Sequence, residues 1–118
     1  MKRCLVVDDS DVIRRVARRI LESLGFQIEE AENAQEALKH CGEAMPDSIL
    51  LDWHMPGMGA MELLRAVRRA SEGNKPYIVY CTTENDRHDI SRALAAGADD
   101  FLIKPFERES LSAKFNKI

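Results

Sequence analysis

Three cysteines among 118 residues, Cys4, Cys41 and Cys81, are too few and too scattered for a disulfide framework. No CxxC pair and no matching His spacing occurs, which excludes a zinc site and leaves free thiols that pack as small apolar groups. Charge of one sign is scarce as well. Lys and Arg number 17 against 20 Asp and Glu, giving a net charge of −3 and a pI near 5.6, without the basic excess of a dedicated nucleic-acid binder. Long hydrophobic runs are missing. The opening MKRCLVVDD places only residues 4–7 as an apolar run before two carboxylates, too short for a signal-peptide core, and nothing nears membrane-spanning length. A cytoplasmic location is expected.

What is present suits a folded domain. Apolar residues make up 45% and charged residues 31%, the balance of a soluble globular protein and richer in apolar groups than a disordered chain. The length fits one domain, residues 1–118, with no room for an output domain. Short apolar runs alternate with stretches of helical period, the pattern of βαβ units and a parallel sheet. The spacing predicts strands at 4–7, 27–31, 48–51, 77–81 and 101–103. A first helix follows from the stripe Ile13, Val16, Ala17, Ile20, Leu21 and Leu24, closed by Gly25. Further helices are predicted over 34–41, 61–70 and 86–95, and where Leu111, Phe115 and Ile118 recur at helical spacing. Arg14, Arg15, Arg18 and Arg19 fall opposite the first stripe and read as a solvated face. Pro56, Gly57 and Gly59 keep the segment after the third strand irregular. Five strands and five helices in strict alternation make a three-layer α/β sandwich with right-handed crossovers.

Polar residues stand at the same structural place in four of these units: Asp8 and Asp9 after the first strand, Asp52 after the third, Thr82 after the fourth and Lys104 after the fifth. Open parallel sheets bind ligands beyond the carboxyl ends of their strands, where strand order reverses. In the flavodoxin-like order 2-1-3-4-5 the first and third strands are neighbours at that point, so Asp8, Asp9 and Asp52 converge. Carboxylates so close repel unless a cation lies between them. Oxygen-only ligands favour a hard ion, Mg²⁺ or Mn²⁺. Phosphoryl transfer to a carboxylate needs positioned charge more than covalent assistance. Asp52, alone at its strand end and followed by a glycine-containing loop, is the best nucleophile, with Lys104 supplying positive charge and Thr82 a hydroxyl. Simpler readings exist for each residue alone: Asp8 and Asp9 as a capping pair before Ser10, Asp52 as a turn residue, Thr82 and Thr83 as strand formers, Lys104 as a surface lysine. Their joint placement favours a site.

The motifs LVVDDS, LLDWHMPGM, TTE and KPF, in this order and spacing, resemble the receiver domain of bacterial two-component response regulators over nearly the whole chain. The chain looks like a single-domain regulator of the chemotaxis-regulator type. The resemblance implies that a histidine kinase or histidine phosphotransfer protein gives its phosphoryl group to Asp52, and that the domain catalyses the transfer with Mg²⁺. It implies metal ligation by Asp9 and Asp52, by Asp8 through water, and by the backbone carbonyl of His54. Thr82 and Lys104 would hold the phosphoryl oxygens, Thr82 moving toward them and drawing Phe101 inward, and Pro105 would follow a cis peptide bond. Gly59 and Ala60 stand where the family often has Asp-Gly, Thr83 where it often has Ala, and Phe101 lacks the phenol of the Tyr that alternates with Phe there. The face shared by the fourth helix, fifth strand and fifth helix commonly carries output, which marks Arg87, His88, Arg92, Phe101, Arg108 and Lys114 as candidates for a downstream protein or, less often, a nucleotide. Direct DNA binding and membrane insertion are not expected.

The function expected is a phosphorylation-dependent switch, not an enzyme acting on external substrates. A phosphorelay intermediate is an alternative with the same chemistry. A small phosphohydrolase using Asp52 would need a general-acid carboxylate shortly after it, where Trp53 and His54 stand instead. A flavin carrier would need a Ser/Thr/Gly-rich loop where this chain has DDSD. The side chains of His54 and Glu84 are expected to overhang the site and govern the access of water to phospho-Asp52. The arginines of the first helix, Arg14 and Arg18 among them, are a candidate docking surface for the phosphodonor.

Overall fold

Strands that read as unbroken apolar runs are those covered on both faces in a parallel sheet. In the computed structural model, which describes residues 2–55, 57–83, 87–116 and 118, β1 (Arg3–Val7), β3 (Ser48–Asp52) and β4 (Tyr77–Thr82) take these inner positions. The more polar β2 (Gln27–Ala31) and the short β5 (Asp100–Ile103) lie at the edges. The order is β2-β1-β3-β4-β5, with all four pairings parallel. Between the strands run α1 (Asp11–Ser23), α2 (Ala34–Glu43), α3 (Ala60–Arg69) and α4 (Arg87–Ala96), and α5 (Arg108–Phe115) follows β5.

The alternation of side chains divides the core in two. Cys4, Val6, Leu50, Val79, Cys81 and Leu102 face α1 and α5, meeting Ala17, Leu21, Leu111 and Phe115. Leu5, Val7, Ile49, Leu51, Ile78 and Tyr80 face the other way, against residues of α2, α3 and α4 such as Ala37, Leu64, Val67 and Ala93. All three cysteines are free and buried. The Ser10 side chain accepts a hydrogen bond from the Ile13 amide and caps α1, and Gly25, at φ 93°, turns the chain out of that helix in a conformation costly for other residues. Among the described residues no helix is long and apolar enough to cross a membrane.

The buried side of α1 differs from the stripe expected. Val16 is 42% exposed and Val12 62% exposed, whereas Arg14 is only 9% exposed. The helix is rotated toward Arg14 because that guanidinium finds an anionic and a carbonyl partner, which makes its burial tolerable. Arg18 is half-buried and donates to the Ile28 carbonyl, so of the four arginines only Arg15 and Arg19 are exposed. The reading of Arg14 and Arg18 as part of a solvated face is corrected accordingly.

Candidate functional site

Register brings the acidic residues together. Val7 pairs with Leu51 across β1 and β3, so the residues that follow, Asp8 and Asp52, leave adjacent strands at the same end. The Asp8 amide donates to the Ala31 carbonyl and extends the pairing with β2 by one residue. Carboxylate oxygens of Asp8, Asp9 and Asp52 lie within 4.8 Å of one another. Asp8 and Asp52 are buried and Asp9 is exposed, which leaves the cluster open to water on one side.

Lys104, at the end of β5, reaches across this cluster. Its Nζ donates to Asp8 Oδ2 at 3.0 Å and to Asp52 Oδ1 at 2.9 Å. The second oxygen of Asp8 accepts from the Ser10 amide at 2.9 Å, which ties the start of α1 to the site. The Lys104 amide donates to the Thr82 carbonyl at 2.7 Å, so the lysine and the buried Thr82 are held side by side at the ends of β5 and β4. The Lys104–Pro105 peptide is cis, as expected.

Three carboxylates against one ammonium leave an excess of two negative charges at the site. Asp52 is held above the usual carboxylate range, chiefly by burial and further by the charges of Asp8 and Asp9, while Lys104 opposes the shift. For Lys104, burial alone would favour the neutral amine, but the hydrogen bonds and charges of Asp52 and Asp8 outweigh it and hold the ammonium above its ordinary value. The donor set fits a hard divalent cation: all oxygen, net negative, partly hydrated through Asp9, with an opposing ammonium to share a bound phosphoryl group.

Other residues expected at the site are placed less uniformly. His54 is exposed and its ring lies 5.1 Å from that of Trp53, which is itself 41% exposed. Phe101 pairs with Tyr80 across β5 and β4 and is half-buried, with Lys114 Nζ 5.1 Å from its ring centroid. Lys114 also pairs with Asp100 at 3.0 Å, and Arg108 donates to Ser23 Oγ on α1, which turns Arg108 away from the face it was expected to share with α4. Arg87, His88 and Arg92 are exposed on α4. Glu84 lies outside the described residues, as do Pro56, Asn85 and Asp86.

Two partners of the site escaped sequence reasoning. Arg14 donates to the Asp8 carbonyl at 2.6 Å. Tyr80, 2% exposed, donates to Asp89 Oδ2 at 2.8 Å and pins the first turn of α4 to β4. A tyrosine inside an otherwise aliphatic run is a usable signal, because a buried phenol needs an acceptor. Arg14 offers none, since its acceptors are the Asp8 carbonyl just after β1, Glu30 of β2 and Asp11 of its own helix, and only the last is near in sequence spacing.

The family model of the response regulator receiver domain matches residues 4–116. The chain is 36% identical to the phosphate regulon transcriptional regulatory protein PhoB of Escherichia coli over 117 residues, which is 99% of this chain and 51% of that protein. It thus spans about half the length of the curated relatives it matches. Among solved structures, the chemotaxis response regulator CheY4 of Vibrio cholerae superimposes with a TM-score of 0.94 at 34% identity, covering 99% of this chain and 98% of that one. A putative response regulator from Chloroflexus aurantiacus gives 0.92 at 28% identity, covering 98% and 95%. With the 2-1-3-4-5 sheet and the acidic cluster at its carboxyl end, these matches establish that the chain belongs to the receiver-domain family of two-component response regulators.

Proposed function

We propose that this receiver is a switch thrown by phosphorylation of Asp52. The observation that carries the reading is the Lys104 ammonium shared between buried Asp8 and buried Asp52 in a cluster of three carboxylates. A phosphohistidine of a kinase or phosphotransfer protein is the donor: a P–O bond to Asp52 forms as the P–N bond breaks, and its electron pair leaves with the imidazole. Asp9 and Asp52, Asp8 through water, and the backbone carbonyl of His54 would hold Mg²⁺ or Mn²⁺. Once bound, that cation offsets the charge on the transferring phosphoryl oxygens. Lys104 supplies positive charge from the opposite side, and Thr82 supplies a hydroxyl donor one residue beyond Cys81, the β4 partner of Asp52.

Readout would follow from the same strands. Thr82 pairs with Ile103, and Tyr80 with Phe101, so a shift of the β4 end is passed directly to β5. The exposed Arg87, His88 and Arg92 of α4, with half-buried Phe101 of β5, form the face through which a downstream protein would read the state. External substrates are not turned over in this scheme. On the donor side, α1 starts beside the site, and its exposed Val12, Arg15, Val16 and Arg19 replace Arg14 and Arg18 as the docking candidates.

The test is intact mass after incubation with acetyl phosphate and Mg²⁺. The wild type should gain one phosphoryl group, and Asp52→Asn or an added chelator should abolish the gain. A wild type that gains nothing, or an Asp52→Asn variant that gains as much, would overturn the reading.

A further inference from the structure

We propose that Arg14 is a positioning residue for the metal-holding pair, acting through the peptide that joins Asp8 to Asp9; this rests on the metal-assisted function proposed above. Arg14 lies in the first turns of α1 and is 9% exposed. Its guanidinium makes three contacts in three directions. One nitrogen donates to the Asp8 carbonyl at 2.6 Å, Nε donates to Glu30 Oε1 at 3.0 Å, and the remaining nitrogen pairs with Asp11. Glu30 is held in turn, because Arg18 grips its other oxygen at 3.0 Å. The fork is therefore fixed by β2 and by its own helix before it reaches β1.

The carbonyl it grips belongs to the Asp8–Asp9 peptide. The plane of that peptide sets the direction in which Asp9 leaves the backbone. Asp8 has other anchors: its amide on Ala31, and its carboxylate on Ser10 and Lys104. Asp9 is exposed, and its carboxylate makes no hydrogen bond or ion pair among the described residues. The place of Asp9 beside Asp52 thus depends on its backbone, and Arg14 is the charged group that holds that backbone.

Charge and geometry make opposite predictions. Arg14 is positive and bonded to the Asp8 carbonyl at the edge of the cluster, so if charge alone mattered, removing it would deepen the negative potential and tighten cation binding. If Arg14 positions Asp9, removing it weakens binding, as loss of outer-shell partners of metal ligands does by about 10-fold to 100-fold. The decisive measurement is the dissociation constant for Mg²⁺, read by calorimetry and by the fluorescence of Trp53, the only tryptophan and the neighbour of Asp52. Folding of each variant is checked by circular dichroism.

Arg14→Met is expected to bind Mg²⁺ about 10-fold more weakly than wild type. Arg14→Lys should be nearly as weak, because one ammonium cannot reach the Asp8 carbonyl and Glu30 together. Arg15→Met removes the same charge from the exposed neighbour and should leave affinity unchanged. Glu30→Gln keeps the arginine but loosens its fork, and should weaken binding severalfold; it carries the test if the Arg14 variants do not fold. Phosphorylation by acetyl phosphate should recover to the wild-type rate in each variant once Mg²⁺ is saturating. Affinity in Arg14→Met equal to or tighter than wild type, or unchanged affinity in Glu30→Gln, would overturn the proposal. Failure of the underlying reading looks different: wild type would bind no Mg²⁺, or Asp9→Asn would bind it as wild type does, and the proposal would fall with it.

Discussion

Replacing Asp52 by asparagine is expected to make the metal-free protein more stable, although it removes the residue on which the proposed function depends. Asp52 is 3% exposed, and its carboxylate lies within 4.8 Å of those of Asp8 and Asp9. At an effective dielectric constant of about 20, a repulsion at that distance amounts to roughly 3 to 4 kcal/mol. Buried Asp8 contributes in full and exposed Asp9 less. Against them stands Lys104 at 2.9 Å, an attraction of about 6 kcal/mol on the same scale. Repulsion and attraction nearly cancel, so the penalty for burying a charge decides the sign. Asparagine keeps an oxygen for Lys104 and removes the charge, for a gain of about 1 to 2 kcal/mol.

Urea unfolding at neutral pH with a chelator measures this directly. Two dependences follow. Because Asp52 binds its proton more tightly in the folded chain than in the unfolded one, its ionised form costs stability above the folded pKa, and the cost is relieved as pH falls through that value. The advantage of Asp52→Asn should therefore shrink on acidification. Added Mg²⁺ should stabilise wild type by mass action and the variant less, since a charged ligand is gone, and narrow the gap again. An Asp52→Asn protein less stable than wild type in chelator would show that the Lys104 bond outweighs repulsion and burial, and would refute the account.

Tyr80→Phe removes only the hydroxyl that donates to Asp89 and should cost about 1 to 2 kcal/mol, with faster amide exchange in α4; unchanged stability and exchange would deny the bond any anchoring role. Burial pushes the Cys4 and Cys81 thiols up to about 12 and the Cys41 thiol up to about 11. The native thiols should hence be inert to a disulfide reagent at neutral pH. Stability should be intact below pH 9 and fall above it, where unfolded thiols ionise and folded ones do not; rapid labelling of the native protein would contradict this. Arg15→Glu with Arg19→Glu should slow phosphotransfer from the kinase and spare phosphorylation by acetyl phosphate; equal loss with both donors would exclude docking by α1.

The alternation of strands and helices was legible because each inner strand is a short apolar run that no amphipathic helix would produce, as in residues 4–7 and 48–51. The site was legible for a related reason. Once the strand ends are located, Asp8, Asp9, Asp52 and Lys104 share one rim, and the 2-1-3-4-5 order makes two of those ends neighbours. Period alone failed on α1, where it could not choose between burying Val16 and burying Arg14. That choice rests on Glu30, which lies one strand away and is fixed by the pairing of β2 with β1. Tyr80 and Asp89 are likewise ordinary residues until α4 is laid on β4. Groups gathered at strand ends can be read from the strand order, whereas a contact such as Arg14–Glu30 or Tyr80–Asp89 depends on how a helix is laid on the sheet.

Under the proposed function, the Lys104 contacts would link reactivity to readout. One ammonium divides its hydrogen bonds between Asp8 and Asp52. A phosphoryl group on Asp52 would present three more acceptor oxygens, and Lys104 would be drawn from Asp8 toward them. Its backbone cannot follow independently, since its amide is bonded to the Thr82 carbonyl and Ile103 before it pairs with Thr82. Any displacement of the lysine is therefore shared by the ends of β4 and β5, two residues along from Phe101 and Tyr80. Tyr80 passes it to α4 through Asp89. A route from charge on Asp52 to the α4 surface would thus run through paired backbone and the Tyr80 phenol, so the Tyr80→Phe variant should phosphorylate normally yet move α4 less.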